Sequence, residues 1–149
     1  MGMWIIKIKK IYNLQFLIYN QFSMKQFPKN NYDLEERTAK FGESVIDLCK
    51  NIRQDNITGP VTNQLVRSAT GIGANYAEAN SASSRKDFKN KSFICKKEIQ
   101  ETKHWLRMLA RCVPEKKEEI KIIWKECHEL NLIFQKIIFT LKNDDLKIY

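Results

Sequence analysis

The sequence predicts an all-α protein, an antiparallel up-down-up-down four-helix bundle, and two observations lead to that fold class. Four apolar runs repeat every three or four residues, and only short breaks separate them, so that successive helices reverse direction. Five glycines and three prolines are few for a β-sandwich or barrel, which needs frequent turns. With 149 residues, 43% hydrophobic and 29% charged, the chain fits one soluble globular domain.

The first predicted helix starts at Asp33, where Asp33-x-x-Glu36 matches a capping box. Its buried side is expected to consist of Leu34, Thr38, Phe41, Val45, Leu48 and Ile52. A turn over residues 56–60 separates it from the second helix, which ends near Asn80. The second helix is expected to bury Val61, Leu65, Ser68 and Ile72.

The third predicted helix follows the serine-rich break at residues 81–84, where a serine can cap it. Its core positions are Phe88, Ser92, Cys95, Ile99, Thr102, Leu106, Leu109 and Val113. Pro114 suits the first turn of the fourth helix, because proline there loses no intrahelical hydrogen bond. The fourth helix is expected to bury Ile120, Ile123, Cys127, Leu130, Phe134, Ile137 and Leu141.

The third and fourth helices carry more apolar residues than one core requires. On a helical wheel, Ile94, Trp105, Met108 and Cys112 form a second apolar set beside the core positions of the third helix. Tryptophan and methionine are enriched at protein interfaces, so an oligomer interface is predicted at Trp105, Met108, Trp124 and Ile138. The alternative is a broad monomer core with some apolar surface exposed to water.

A row of cations follows the third helix within about ±40° of one line on the wheel. This basic stripe consists of Arg85, Lys89, Lys96, Lys103, Arg107 and Arg111. Residues 84–113 carry a net charge of +6, against +9 for the whole chain. Such a stripe can follow a phosphate backbone, or it can be an ordinary solvated face. The sequence predicts no aromatic residue within the stripe, which disfavours base stacking.

The sequence contains no complete catalytic or metal-binding motif. Glu101-x-x-His104 matches one half of a di-iron site, but His128 lacks the corresponding glutamate. Glu98 and Glu101 are instead expected to pair with a cation such as Arg67. The four cysteines show no metal-ligand spacing and are expected to be reduced thiols. We therefore expect no enzyme activity, no metal and no cofactor.

Glycines interrupt the second helix at Gly71 and Gly73. Because each costs about 1 kcal/mol relative to alanine in a helix, a packing reason is expected. Ser68, Gly71, Ala74 and the neighbouring small residues are predicted to let another backbone approach closely.

Residues 1–32 form a predicted leader, disordered or outside the fold, with Met24 as the functional start. Its longest uncharged stretch, residues 11–24, is too short for a membrane-spanning helix, so no membrane is expected as a partner. The bundle is assigned to residues 33–142 and a C-terminal tail to residues 143–149. A cytoplasmic location is expected.

Three segments on the second and third predicted helices form a recognisable pattern: Arg67-Ser-Ala-Thr-Gly-Ile-Gly-Ala-Asn-Tyr-Ala-Glu-Ala79, Ala82-Ser-Ser-Arg-Lys-Asp-Phe88 and Lys97-Glu-Ile-Gln-Glu-Thr-Lys-His-Trp-Leu106. Together they resemble the 23S rRNA intervening-sequence family of four-helix bundle proteins. The resemblance covers about residues 33–142 and extends to accessory proteins of diversity-generating retroelements. It implies a homopentameric barrel that binds nucleic acid and a reverse transcriptase, without catalytic residues.

Two functions remain open at this point. One is an oligomeric protein that binds RNA or DNA through the basic stripe without strong sequence preference, as an accessory or scaffold. The other is a protein-interaction module whose positive charge only maintains solubility. Salt-dependent binding separates them, because phosphate contacts release counterions.

Overall fold

The computed structural model describes residues 33–146, and within this range the chain forms four α-helices and no strand. The predicted all-α class and the number of helices are therefore confirmed. The bounds are α1 Leu34–Lys50, α2 Thr58–Asn80, α3 Arg85–Cys112 and α4 Lys117–Leu146. The predicted leader at residues 1–32 lies outside the described residues.

Two helix starts are capped by the side chains that the sequence indicates. The Asp33 carboxylate accepts the backbone N–H of Glu35 at 2.9 Å at the start of α1. The Ser84 hydroxyl accepts the backbone N–H of Asp87 at 3.1 Å at the start of α3. Both side chains satisfy N–H groups that have no partner within the helix, which fixes where the helices begin.

The turn before α2 is held by Asp55, a residue that the sequence analysis missed. Its carboxylate accepts the backbone N–H groups of Ile57 at 2.7 Å and Thr58 at 2.8 Å. These hydrogen bonds, first that of Thr58, lower the pKa of the Asp55 carboxyl. An Asx turn of this kind depends on one side chain and its own local backbone.

One predicted helix start is wrong by three residues. Pro114 starts a separate 3₁₀ turn, Pro114–Lys116, and α4 begins only at Lys117. Helix α4 then continues to Leu146, into the segment assigned as a C-terminal tail. Helix ends depend on local capping, which apolar periodicity does not report.

The predicted core positions are buried in all four helices, with two partial exceptions. Val61 and Ile123 are half-buried and pack against the edge of the core. Phe88 and Phe134 are among the largest side chains that are fully buried. The hydrophobic periodicity therefore identified the core correctly, because burial follows the face of each helix.

Each helix packs against its neighbour in sequence, and α1 also packs against α4. This set of contacts makes the described residues a helical bundle. An ion pair between Arg37 of α1 and Glu126 of α4 links the first helix to the last, with 2.9 Å between Arg37 Nη2 and Glu126 Oε2.

Glycines bring α1 and α2 close together. A Cβ placed on Gly73 would lie 3.4 Å from the backbone of Thr38, and one on Gly42 would lie 3.4 Å from Cα of Thr70. Close approach by small residues of α2 is thus confirmed at Gly73, one of the small residues of the predicted run, whereas Ala74 is exposed. The absence of a Cβ offsets the helix-propensity cost of glycine at this position.

Candidate nucleic-acid interface

The basic stripe lies on the flank of α3 that faces α4. Gln100, on the same side of α3, donates a 3.0 Å hydrogen bond to Asn131 of α4. Arg85 donates from Nη2 to the backbone carbonyl of Leu141 at 2.7 Å. Helix α4 therefore forms one wall beside the stripe.

The members of the stripe differ in exposure along α3. Arg107 and Arg111 are exposed, whereas Arg85, Lys89, Lys96 and Lys103 are half-buried. Long cationic side chains can cover apolar surface with their methylene groups and keep the charge in water. The C-terminal half of the stripe is thus the more accessible to a partner.

Four stripe cations have no carboxylate partner among the side chains that the structure describes. Among the residues that the structure describes, no acidic side chain forms an ion pair with Lys96, Lys103, Arg107 or Arg111. Their positive charge is therefore not neutralised by the described part of the chain, and it stays available to an anion.

Aromatic rings lie beside this stripe, so the prediction of a stripe without aromatic residues is wrong. Trp124 of α4 lies under the ammonium of Lys103, with Nζ 4.7 Å from the ring centroid. Phe93 belongs to α3 itself, about 40° from Lys89 on the wheel, and Lys142 Nζ lies 5.4 Å from its ring centroid. Phe93 was identifiable from the sequence, whereas Trp124 required the packing of α4.

The α2-facing flank of α3 confirms the predicted ion pair. Arg67 of α2 donates a hydrogen bond to Glu101 Oε1, and its Nη1 lies 3.8 Å from Glu98 Oε2. The hydrogen bond from Arg67 lowers the pKa of Glu101, whereas burial raises the pKa of Glu98. Trp105 Nε1 also donates to Glu101, at 3.2 Å.

Glu98 also explains the other glycine of α2. A Cβ on Gly71 would lie 3.1 Å from Glu98 Oε2, so the carboxylate occupies the space that glycine leaves. Ser68, the third residue of the predicted close approach, accepts a 3.0 Å hydrogen bond from the Thr102 hydroxyl, and both are fully buried. Polar contacts thus hold α2 against α3.

The residues predicted to form an oligomer interface have different environments. Trp105 and Met108 are half-buried, and Trp124 is 38% exposed. Ile138 is only 5% exposed, so the chain already covers this side chain without a partner. The apolar side chains that α4 exposes most were missed by the sequence analysis: Ile122, Leu132 and Phe139.

In the described range, no group of three His, Cys, Asp or Glu side chains could hold a metal ion. His104 is exposed and packs edge-on against Trp105, with ring centroids 5.0 Å apart. All four cysteines are free thiols. Burial raises the pKa of Cys95 and Cys127 to about 12. No helix within residues 33–146 has the length and apolar content needed to span a membrane.

Comparison with known proteins identifies the class. The profile of the 23S rRNA-intervening sequence protein family matches residues 30–136, so the chain belongs to this family. A solved structure from Bacteroides thetaiotaomicron, a protein of unknown function from the S23 ribosomal protein family, is similar with a TM-score of 0.64 and 33% identity. The similarity covers 71% of this chain and 98% of that protein. No curated protein is significantly similar in sequence.

Proposed function

We propose that the protein is a non-catalytic, cytoplasmic, self-associating helical bundle that binds RNA or DNA without strong sequence preference. The observation that carries the proposal is the set of four stripe cations without a carboxylate partner within the described residues. Phosphate backbones neutralise such cations whatever their sequence. Membership of a family named after a ribosomal RNA insertion supports an RNA-related role.

Within one chain, helices that follow each other in sequence are proposed to be antiparallel. Three contacts between α2 and α3 support this arrangement, because residue numbers rise along α2 as they fall along α3. They are Ser68 with Thr102, Ile72 with Cys95, and Glu78 with Lys91. In this proposed arrangement the stripe follows the axis of α3 along one edge of the bundle.

Self-association supports the proposed nucleic-acid binding because it multiplies the number of basic stripes in one particle. In a ring, each subunit repeats the stripe, and linked weak sites raise the overall affinity without any new contact. The half-buried Trp105 and Met108 are the residues proposed for the contact between copies. The family resemblance favours a homopentamer, and it makes a reverse transcriptase of a retroelement the first candidate protein partner.

The proposal is tested by replacing Lys96, Lys103 and Arg107 with glutamine. Binding to RNA and to DNA should weaken for all sequences, and the slope of log K against log salt should fall by about two to three. A matched control removes the same charge at Lys40, Lys50 and Lys121, each of which already pairs with an acid of its own helix. The control should bind like the wild type.

Fluorescence anisotropy and light scattering together distinguish the outcomes. Unchanged affinity and unchanged assembly would make the stripe a solvated face and favour the alternative, a protein-interaction module. Loss of assembly in the triple variant would place the stripe inside an interface and would also contradict the proposal. A monomer at micromolar concentration would contradict the proposed self-association.

A further inference from the structure

We propose that the α3–α4 face binds single-stranded nucleic acid by stacking bases on Trp124 and Phe93. The α3–α4 face is defined as the basic stripe together with Phe93, Trp124 and Lys142. This inference rests on the proposed function, because it names the form of nucleic acid that the stripe would bind. The observation behind it is that each of the two rings lies beneath a lysine ammonium.

Trp124 forms the larger of the two platforms. Trp124 is 38% exposed to solvent. The His128 ring stacks against it at a centroid distance of 5.6 Å and an interplanar angle of 5°. Because His128 is one helical turn away, this stacking restricts rotation of the indole and holds a flat surface in place.

Phe93 forms the second platform. It lies ten residues before Lys103 on α3, which corresponds to roughly 15 Å along the helix axis. Lys96 projects from α3 between these two positions. Rings and cations therefore alternate along one edge of the bundle, as in proteins that bind single strands with aromatic side chains and a basic track.

The rings favour a single strand over a duplex or a base-free polyanion. In a duplex the faces of the bases are already stacked, so only the phosphates could reach the stripe. A single strand presents both phosphates and unstacked base faces. Lysine side chains are flexible, so Lys103 and Lys142 can leave the rings and contact phosphates while bases take their places.

The test replaces each ring with leucine, which keeps apolar bulk and removes the flat π-face. Trp124→Leu and Phe93→Leu should each weaken binding of an oligothymidylate about tenfold. The salt slope should stay unchanged, since no cation is lost. Binding of heparin and of duplex DNA should also be unchanged. The matched control is Phe139→Leu, whose ring is 56% exposed and lies 5.7 Å from Lys136 Nζ of the same helix.

Anisotropy titrations on the full chain separate this inference from the proposed function. If Trp124→Leu binds oligothymidylate like the wild type while the glutamine triple variant does not, stacking is wrong and the basic stripe stands. If the wild-type chain binds neither heparin nor oligothymidylate, both fail. A changed oligomeric state of Trp124→Leu would place Trp124 in the interface between copies and overturn the stacking role.

Discussion

The two flanks of α3 carry the same types of charged and aromatic residues, but the cations on the two flanks have different partners. On the α2-facing flank, cations meet carboxylates: Arg67 pairs with Glu98 and Glu101, and Lys91 pairs with Glu78. On the α4-facing flank, the ammonium of Lys103 meets an aromatic ring instead. The first flank joins α3 to α2 through ion pairs, whereas on the second flank no carboxylate of the described residues pairs with Lys103.

This difference shows why net charge alone does not locate a binding surface. Residues 84–113 are strongly positive as a segment, yet cations on both flanks contribute to that sum. For Arg67 and Lys91, the packing of α2 against α3 decides that the cation meets an acid. An exposed ion pair contributes little to stability, and an unpaired cation contributes to long-range attraction of an anion.

The largest expected effect concerns the core that both flanks share. Leu106 is fully buried, so Leu106→Ala should lower the free energy of unfolding by about 2–5 kcal/mol. Trp124→Leu should lower it by less than about 1 kcal/mol, because the indole is partly exposed and its replacement stays apolar. Urea unfolding followed by circular dichroism compares the two variants. Equal losses of unfolding free energy in the two variants would show that Trp124 is a core residue. The contrast between the core and the α3–α4 face would then not hold.

A smaller effect is expected from removing one cation on each flank. Arg67→Met should lower the free energy of unfolding by less than Leu106→Ala does, because Glu98 and Glu101 lose their common partner but that partner is exposed to water. Lys103→Met should change it by less than about 0.5 kcal/mol, since no acid in the described part of the chain pairs with Lys103. The Arg67→Met loss should shrink in about 1 M salt, where exposed charges are screened. If Lys103→Met lowered the free energy of unfolding more than Arg67→Met does, the proposed difference between the two flanks would be wrong.

Most of the fold could be predicted from the sequence because apolar spacing reports burial directly. The eight core positions assigned to the third helix, from Phe88 to Val113, are all buried. The caps Asp33 and Ser84 follow from residue type and position. Asp55 was missed because its hydrogen bonds stabilise a turn, which has no periodic pattern.

The candidate site was less accessible to sequence reasoning because it combines two helices. A helical wheel places Arg107 and Lys103 on one side of α3, but it contains no information about α4. From the sequence, Trp124 is therefore only surplus apolar surface, and its position beneath Lys103 depends on how α4 packs against α3. Ile138 shows the converse, because the wheel placed it outside the core and the bundle buries it.

The smallest expected effect is a difference in pH dependence between two carboxylates three residues apart. Burial raises the pKa of Glu98 above its ordinary value of 4.5, so the folded state disfavours the charged form. Stability should therefore fall as pH rises through the window above 4.5, and Glu98→Gln, which carries no charge, avoids that loss. We expect Glu98→Gln to raise the Tm by about 2 °C at pH 7. The gain should disappear below pH 4.5, where the carboxyl is protonated in both states.

Glu101→Gln is the matched control, and its change in Tm at pH 7 is expected to have the opposite sign. The hydrogen bond from Arg67 lowers the pKa of Glu101 below 4.5, so the charged form of Glu101 stabilises the fold above that pH. That stability is lost as pH falls through the lowered value. Glu101→Gln should consequently lower the Tm at pH 7 and match the wild type at the acidic end of a pH series. Thermal unfolding of both variants across that series measures the two signs. Shifts of the same sign would show that Arg67 does not distinguish the two carboxylates, and the α2-facing flank would then be one shared ion-pair network.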